Sequence, residues 1–142
     1  MLLQGLAILA TALFAGAALY VSVVEQPARL ALPIETAIAE WRPSYRRATI
    51  MQASLAVLGT LLGIAAGIVS GGAVWIVAAF VLSAVVPFTL VVMWPTNKRL
   101  EDPALDLQSV ETRNLLARWG HLHAVRTAIS LAALLLMLFA RF

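Results

Sequence analysis

The 142-residue chain contains no cysteine. Disulfides, thiol catalysis, iron–sulfur clusters and thiolate metal sites are therefore excluded, as is redox shuttling between a quinone and a protein disulfide. Charge is scarce too. Asp, Glu, Lys and Arg make up 12% of the residues, about half the share of a soluble globular domain. Hydrophobic residues make up 62% instead, a composition suited to a bilayer. The net charge of +3 gives no indication of nucleic acid as a partner. The basic residues flank apolar runs, where they set topology or touch anionic lipid.

What is present is a set of apolar runs, roughly Leu2–Val24, Ala48–Val69, Ala73–Met93 and Leu122–Ala140. Each has about 20 residues, the length a helix needs to cross ~30 Å of hydrocarbon. The expected fold is all-α: an up-and-down bundle of four transmembrane helices forming a single integral membrane domain over 1–142. The first run lacks a basic leading region and exceeds a signal core, so we expect it to be retained. Apart from Arg126 and Arg141, the charges sit in the connections Glu25–Arg47 and Lys98–Arg118. An up-and-down bundle places both on one membrane face, which makes one pole bland and the other chemically equipped. The positive-inside rule puts those connections in the cytoplasm and both termini outside, in a bacterial-type inner membrane. Arg141 argues weakly the other way.

Local signals refine this plan. Pro27 should end or kink the first helix. Residues Pro33–Trp41 read as a short interfacial helix in the first long connection, ended by Arg42-Pro43, with Trp41 and Tyr45 in the headgroup belt. Gly59, Gly63 and Gly67 repeat every four residues, a pattern for close helix contact within the monomer, with a homo-oligomer as the alternative. Pro87 should kink the third span. The last helix should start near Ser109, with a cap there, and protrude before it enters the membrane.

Helical spacing then aligns a polar stripe on each span. The stripes are Thr11, Ala15, Ala18, Ser22 and Glu25; Gln52, Ala56, Gly59 and Gly63; Ser83, Pro87, Leu90, Trp94 and Asn97; and Trp119, His123, Arg126 and Ser130. Glu25, Trp94, Asn97 and His123 fall near one depth, with Gln52 and Arg126 slightly deeper. Lipid cannot solvate such groups, so these faces should point into the bundle and form a pocket. Blander readings remain for some of them. Trp94 suits an interfacial anchor, and Glu25 with Arg126 suits a buried ion pair that fixes the bundle. A metal is not expected. His121 and His123, two apart on a helix, point about 200° apart. Glu25 with His123 supplies two ligands, and no second axial histidine is available for haem.

Three segments carry a resemblance: Glu25-Gln26-Pro27-Ala28-Arg29, Trp94-Pro95-Thr96-Asn97-Lys98-Arg99-Leu100, and Arg118 to Arg126. In order and placement the chain resembles the anthrone oxygenase-like family of small four-helix membrane proteins. The resemblance implies an oxygenase that converts the methylene of a polyketide anthrone to a carbonyl, with no metal or organic cofactor. The matching residues are Glu25, Pro27, Arg29, Trp94, Asn97, Leu100, Trp119, His123 and Arg126.

Such chemistry suits these side chains. His123 is the expected base, with Glu25 orienting it or serving as the base itself. Arg126 and Asn97 would stabilise an enolate or superoxide. Trp94, Trp119, Gln52 and Ser22 would bind a flat apolar aromatic molecule. The alternatives are a non-enzymatic binder or carrier of an apolar small molecule, and a structural or accessory membrane subunit. The topology is directly testable: reporter fusions within Ser70–Gly72 and after Phe142 should both report an external location. Cytoplasmic signal from both would invert the orientation.

Overall fold

The computed structural model describes residues 1–140, and the reading on Arg141 lies outside them. The described residues are helical in nine segments: α1 (Leu2–Tyr20), a π segment (Val21–Glu25), α2 (Gln26–Leu30), α3 (Ile34–Ser70), α4 (Ala73–Ser83), α5 (Val85–Pro87), a second π segment (Phe88–Met93), α6 (Trp94–Glu101) and α7 (Val110–Phe139). These make four spans long and apolar enough to cross a membrane: Leu2–Leu30, Ile34–Ser70, Ala73–Glu101 and Val110–Phe139. No strand occurs among the described residues. Spans that follow one another in sequence pack side by side, and α7 closes the ring against α1, giving the expected all-α four-helix bundle.

The packing is that of a membrane bundle. Small side chains fill the interior, among them Ala7, Ala15, Ala18, Ala78 and Ala133, while Leu9, Leu13, Leu61, Val77 and Phe80 face outward. Lipid gives no hydrophobic drive for helix association, so close backbone approach must supply the contact. The glycine pattern on α3 serves that purpose inside the chain. A Cβ on Gly59 would lie 2.9 Å from Leu82 Cδ2 and from Thr11 Oγ1, and one on Gly63 3.0 Å from Ala79 Cβ. The hairpin after α3 turns on Gly71, whose φ of 70° is the left-handed conformation that ends a helix.

Prolines shape the rest. Pro27 and Pro95 each lack the N–H that would bond the carbonyl four residues earlier, and their rings crowd it. In both spans the helix widens into a π segment just before the proline. Widening frees the crowded carbonyl without ending the helix, so the first span continues past Pro27 to Leu30 rather than stopping there. Pro87 acts as expected: α4 ends at Ser83, four residues upstream.

Pro43 does not act as expected. The predicted short helix over Pro33–Trp41 is helical, but it runs without a break through Pro43 into the second span. Tertiary contacts outweigh the cost of about 3 kcal/mol for an interior proline. Ile38 and Trp41 are fully buried in a cluster with Leu100, Leu116 and Trp119. Arg42 Nε donates to the Leu100 carbonyl at 3.0 Å and its Nη2 to the Asp102 carbonyl at 2.7 Å. Trp41 is thus a core residue, not a headgroup anchor. At the last helix, Ser109 Oγ accepts from the Thr112 N–H at 3.2 Å, the cap read from the sequence.

Replacing Gly59 with Val should therefore cost stability without altering oligomeric state. The expected loss is about 1–3 kcal/mol, typical of overpacking, read as a lower melting temperature in detergent. A variant that melts normally but loses a dimer would transfer the motif to an intermolecular contact.

Candidate functional site

The charged pole is organised by Arg29, which is 2% exposed. Its guanidinium donates to Glu25, one turn earlier, and to Glu40 on α3. Nη1 donates to Gln26 Oε1 at 2.7 Å. The guanidinium also lies 5.7 Å from the centroid of the Trp119 ring on α7. Gln26 extends the tie, its Nε2 donating to the Leu116 carbonyl at 2.9 Å. Gly120 makes room for it, since a Cβ there would lie 2.9 Å from Gln26 Cγ. One buried cation thus joins three spans, and two carboxylates offset its desolvation.

Below this cluster lies a tight cavity, with about 20 Å³ open to the centre of a water-sized molecule. Its aromatic wall is a row: Tyr45 stacks on Trp41 at 4.7 Å, Trp41 meets Trp119 edge-on at 5.6 Å, and Trp119 lies 5.0 Å from His123. Its polar wall includes Glu25, Gln52, His123 and Arg126. Ser44 Oγ donates to Glu25 Oε1 at 2.7 Å.

Arg126 is held differently from Arg29. Among the described residues no carboxylate forms a salt bridge with it. Its Nη2 donates to Gln52 Oε1 at 3.2 Å, and its guanidinium sits 5.7 Å from the Phe14 ring centroid. Its Nε is buried without a partner. The same is true of Nε1 of Trp41, Nε1 of Trp119 and both amide atoms of Asn97. Each such group costs about 1–3 kcal/mol if left unmade. Three of the unpaired donors, from Arg126, Trp41 and Trp119, belong to residues that line the same cavity.

A hydroxyl chain orients His123. Its Nδ1 lies 3.2 Å from Ser22 Oγ, which lies 2.8 Å from Thr127 Oγ1. The other partners of Thr127 Oγ1 are carbonyls, of Ala18 at 3.0 Å and of His123 at 3.2 Å. The Thr127 proton therefore goes to a carbonyl, the Ser22 proton to Thr127, and Nδ1–H to Ser22. Nε2 is left with a bare lone pair.

Most of the residues singled out by sequence meet here. Glu25, Gln52, Trp119, His123 and Arg126 line the cavity, and Ser22 braces His123 from behind. The suggested Glu25–Arg126 pair is not formed; Glu25 binds Arg29, one helical turn away, and Arg126 binds Gln52. Trp94 is 52% exposed. It lies outside the cavity wall, on the outward face that Pro87 and Leu90 share; the buried face of the third span runs instead through Leu82, Val85, Met93 and Asn97, so the expected stripe through Pro87, Leu90 and Trp94 does not point inward. Asn97 is buried but is not part of that wall. His121 is exposed while His123 is buried, as their spacing on a helix requires. Among the described residues no three His, Cys, Asp or Glu side chains cluster as metal ligands. Sequence reasoning missed Trp41, Tyr45 and Ser44. The spacing Trp41–Tyr45, matching Trp119–His123, was the available signal, obscured by the break expected at Pro43.

The fold and cavity define a small four-helix membrane protein with a buried polar pocket at one pole. A family model described as anthrone oxygenase matches residues 41–136, and the chain belongs to that family. The matched segment contains Trp41, Gln52, Asn97, Trp119, His123 and Arg126, whereas Ser22, Glu25 and Arg29 precede it. No curated protein and no solved structure matches the chain.

The changed pairing has an energetic signature. In a double-mutant cycle, Glu25→Gln and Arg29→Met should show a coupling of about 1–3 kcal/mol, as contacting residues in one network do. Glu25→Gln with Arg126→Met should couple much less, both followed by thermal melts in detergent. The reverse order would restore the Glu25–Arg126 pair.

Proposed function

We propose that the protein oxidises the methylene of a flat, anthrone-like molecule to a carbonyl with dioxygen, using His123 as base. The observation that carries this reading is the hydroxyl chain behind His123, which leaves Nε2 free to accept a proton at the cavity. Glu25 is the weaker candidate, because its Oε1 already accepts from Arg29 and Ser44.

The reaction balances without a further oxidant. Nε2 takes a proton from the methylene, whose carbanion is an aromatic enolate. The enolate passes one electron to dioxygen, and the resulting radical and superoxide combine to form a carbon–oxygen bond. The peroxide anion takes the proton back from His123. Loss of the second methylene proton then cleaves the O–O bond and leaves a carbonyl and water. Arg126 and the indole N–H groups of Trp41 and Trp119 supply donors for the enolate or peroxide oxygen in a poorly hydrated site. Asn97 would act through its unpaired amide if it turns towards the same cavity. In this reading the charged pole faces the cytoplasm.

His123→Gln should lower turnover of an anthrone by about 10²–10⁴-fold, the usual worth of a positioned base, with folded yield unchanged. Ser22→Ala should give a smaller loss in kcat with little change in KM, because it releases the ring without removing the base. Normal turnover by His123→Gln would leave Glu25 as the base, and normal turnover by both His123→Gln and Glu25→Gln would end the enzyme reading of this pole.

A further inference from the structure

The cavity is too tight at its centre for a fused-ring molecule, but a second space adjoins it. Between α3 and the third span lies a cleft with about 140 Å³ open to the centre of a water-sized molecule, bounded by Ala53 and Ala56 on one side and by Val85, Val86 and Leu90 on the other. Thr49 and Arg126 belong to both walls, of the cleft and of the cavity. The cleft has a cause in the backbone. Helix α3 packs closely along α4, but its contact with the third span falls away beyond the break at Ser83. Alanines at 53 and 56 do not fill the gap. Leu90 is 61% exposed at its outer edge, so the cleft opens towards lipid rather than towards either pole.

We infer that this cleft is the lateral access route and seat for a planar, membrane-dissolved molecule carrying an acidic hydroxyl or enolic oxygen. The apolar walls suit the ring system. Arg126 supplies the matching charge: it has no carboxylate partner among the described residues, its Nε is unpaired, and one 3.2 Å bond to Gln52 holds it across the passage. Releasing that bond to receive an anionic oxygen would join cleft and cavity. The other approach, a surface depression meeting the cavity at Ser44 and Ala48, is rimmed by Glu40 and Arg47 and suits an apolar body poorly. The class of occupant rests on the anthrone reading; the position of the route does not.

The test uses the protein in lipid nanodiscs and 1,8-dihydroxyanthraquinone as the probe, with binding followed by quenching of tryptophan fluorescence. Ala53→Phe fills the cleft from its exposed side, and Met51→Phe fills the rival depression. Association with Ala53→Phe should slow by about tenfold or more, as for a route that must be opened by conformational change, while Met51→Phe should match the parent. Arg126→Met should weaken equilibrium binding with a smaller effect on association. As a second measurement, a nitroxide label on Ala53→Cys, the sole thiol in the chain, should lose mobility when the probe is added. Slowing by Met51→Phe instead of Ala53→Phe, or an unmoved label with no binding by the parent, would overturn the route. Cleft-dependent binding without turnover of an anthrone would remove the oxidation and keep the route. Turnover unaffected by Ala53→Phe would do the opposite.

Discussion

The buried guanidinium of Arg29 is the interaction on which the charged pole depends. In a bilayer a cation on a helix must find its partners within the protein. Arg29 finds them on its own span, in Glu25 and Gln26, and on α3, in Glu40. It then packs over Trp119 on α7. The first span is thereby fixed against α3 and α7 at the depth where the aromatic row begins. Glu40 can reach Arg29 because the helix carrying it continues into the second span. The continuity through Pro43 and the ion cluster therefore support each other.

Arg126 shows the opposite economy. It lies at the meeting point of the bundle, against Phe14 from the first span, Gln52 from the second and the cleft wall of the third. Among the described residues no carboxylate pairs with it. A site that only held the bundle together would complete such a cation, as it does for Arg29. A site that receives developing negative charge is better left incomplete, since a resident carboxylate would compete with the guest. Under the proposed oxidation, Arg29 would serve stability and Arg126 the chemistry.

The π segments connect backbone chemistry to this division. In the first span the widening places Val21, Glu25 and Arg29 at the cavity while Ser22 reaches His123. In the third it occupies the stretch between the break at Ser83 and Pro95, which borders the cleft. Such bulges recur at functional sites because they re-aim side chains without breaking the helix. Here each precedes a proline by two residues, so their position has a covalent cause.

Much of this was legible in the sequence. Four apolar runs and their confined charges determine a four-span bundle with one equipped pole, because the bilayer penalises any charge placed elsewhere. The Gly59–Gly63–Gly67 stripe and the divergence of His121 from His123 follow from helical periodicity alone. Periodicity also placed Ser22, Gln52, Trp119, His123 and Arg126 facing inward, and they do meet. The tertiary structure alone decided who pairs with whom. Glu25 takes Arg29, one turn along its own span, and Glu40 arrives from α3 to complete that cation. That arrival depends on Pro43 being overruled by the burial of Ile38 and Trp41. The outward placement of Trp94 follows from the register of the third span, whose buried face runs through Leu82, Val85 and Met93, and the cleft follows from the break at Ser83. Spacing rules place residues on a common face, but packing against the other spans decides which face turns inward, and that leaves Trp94 outside the site while Trp119 lines it.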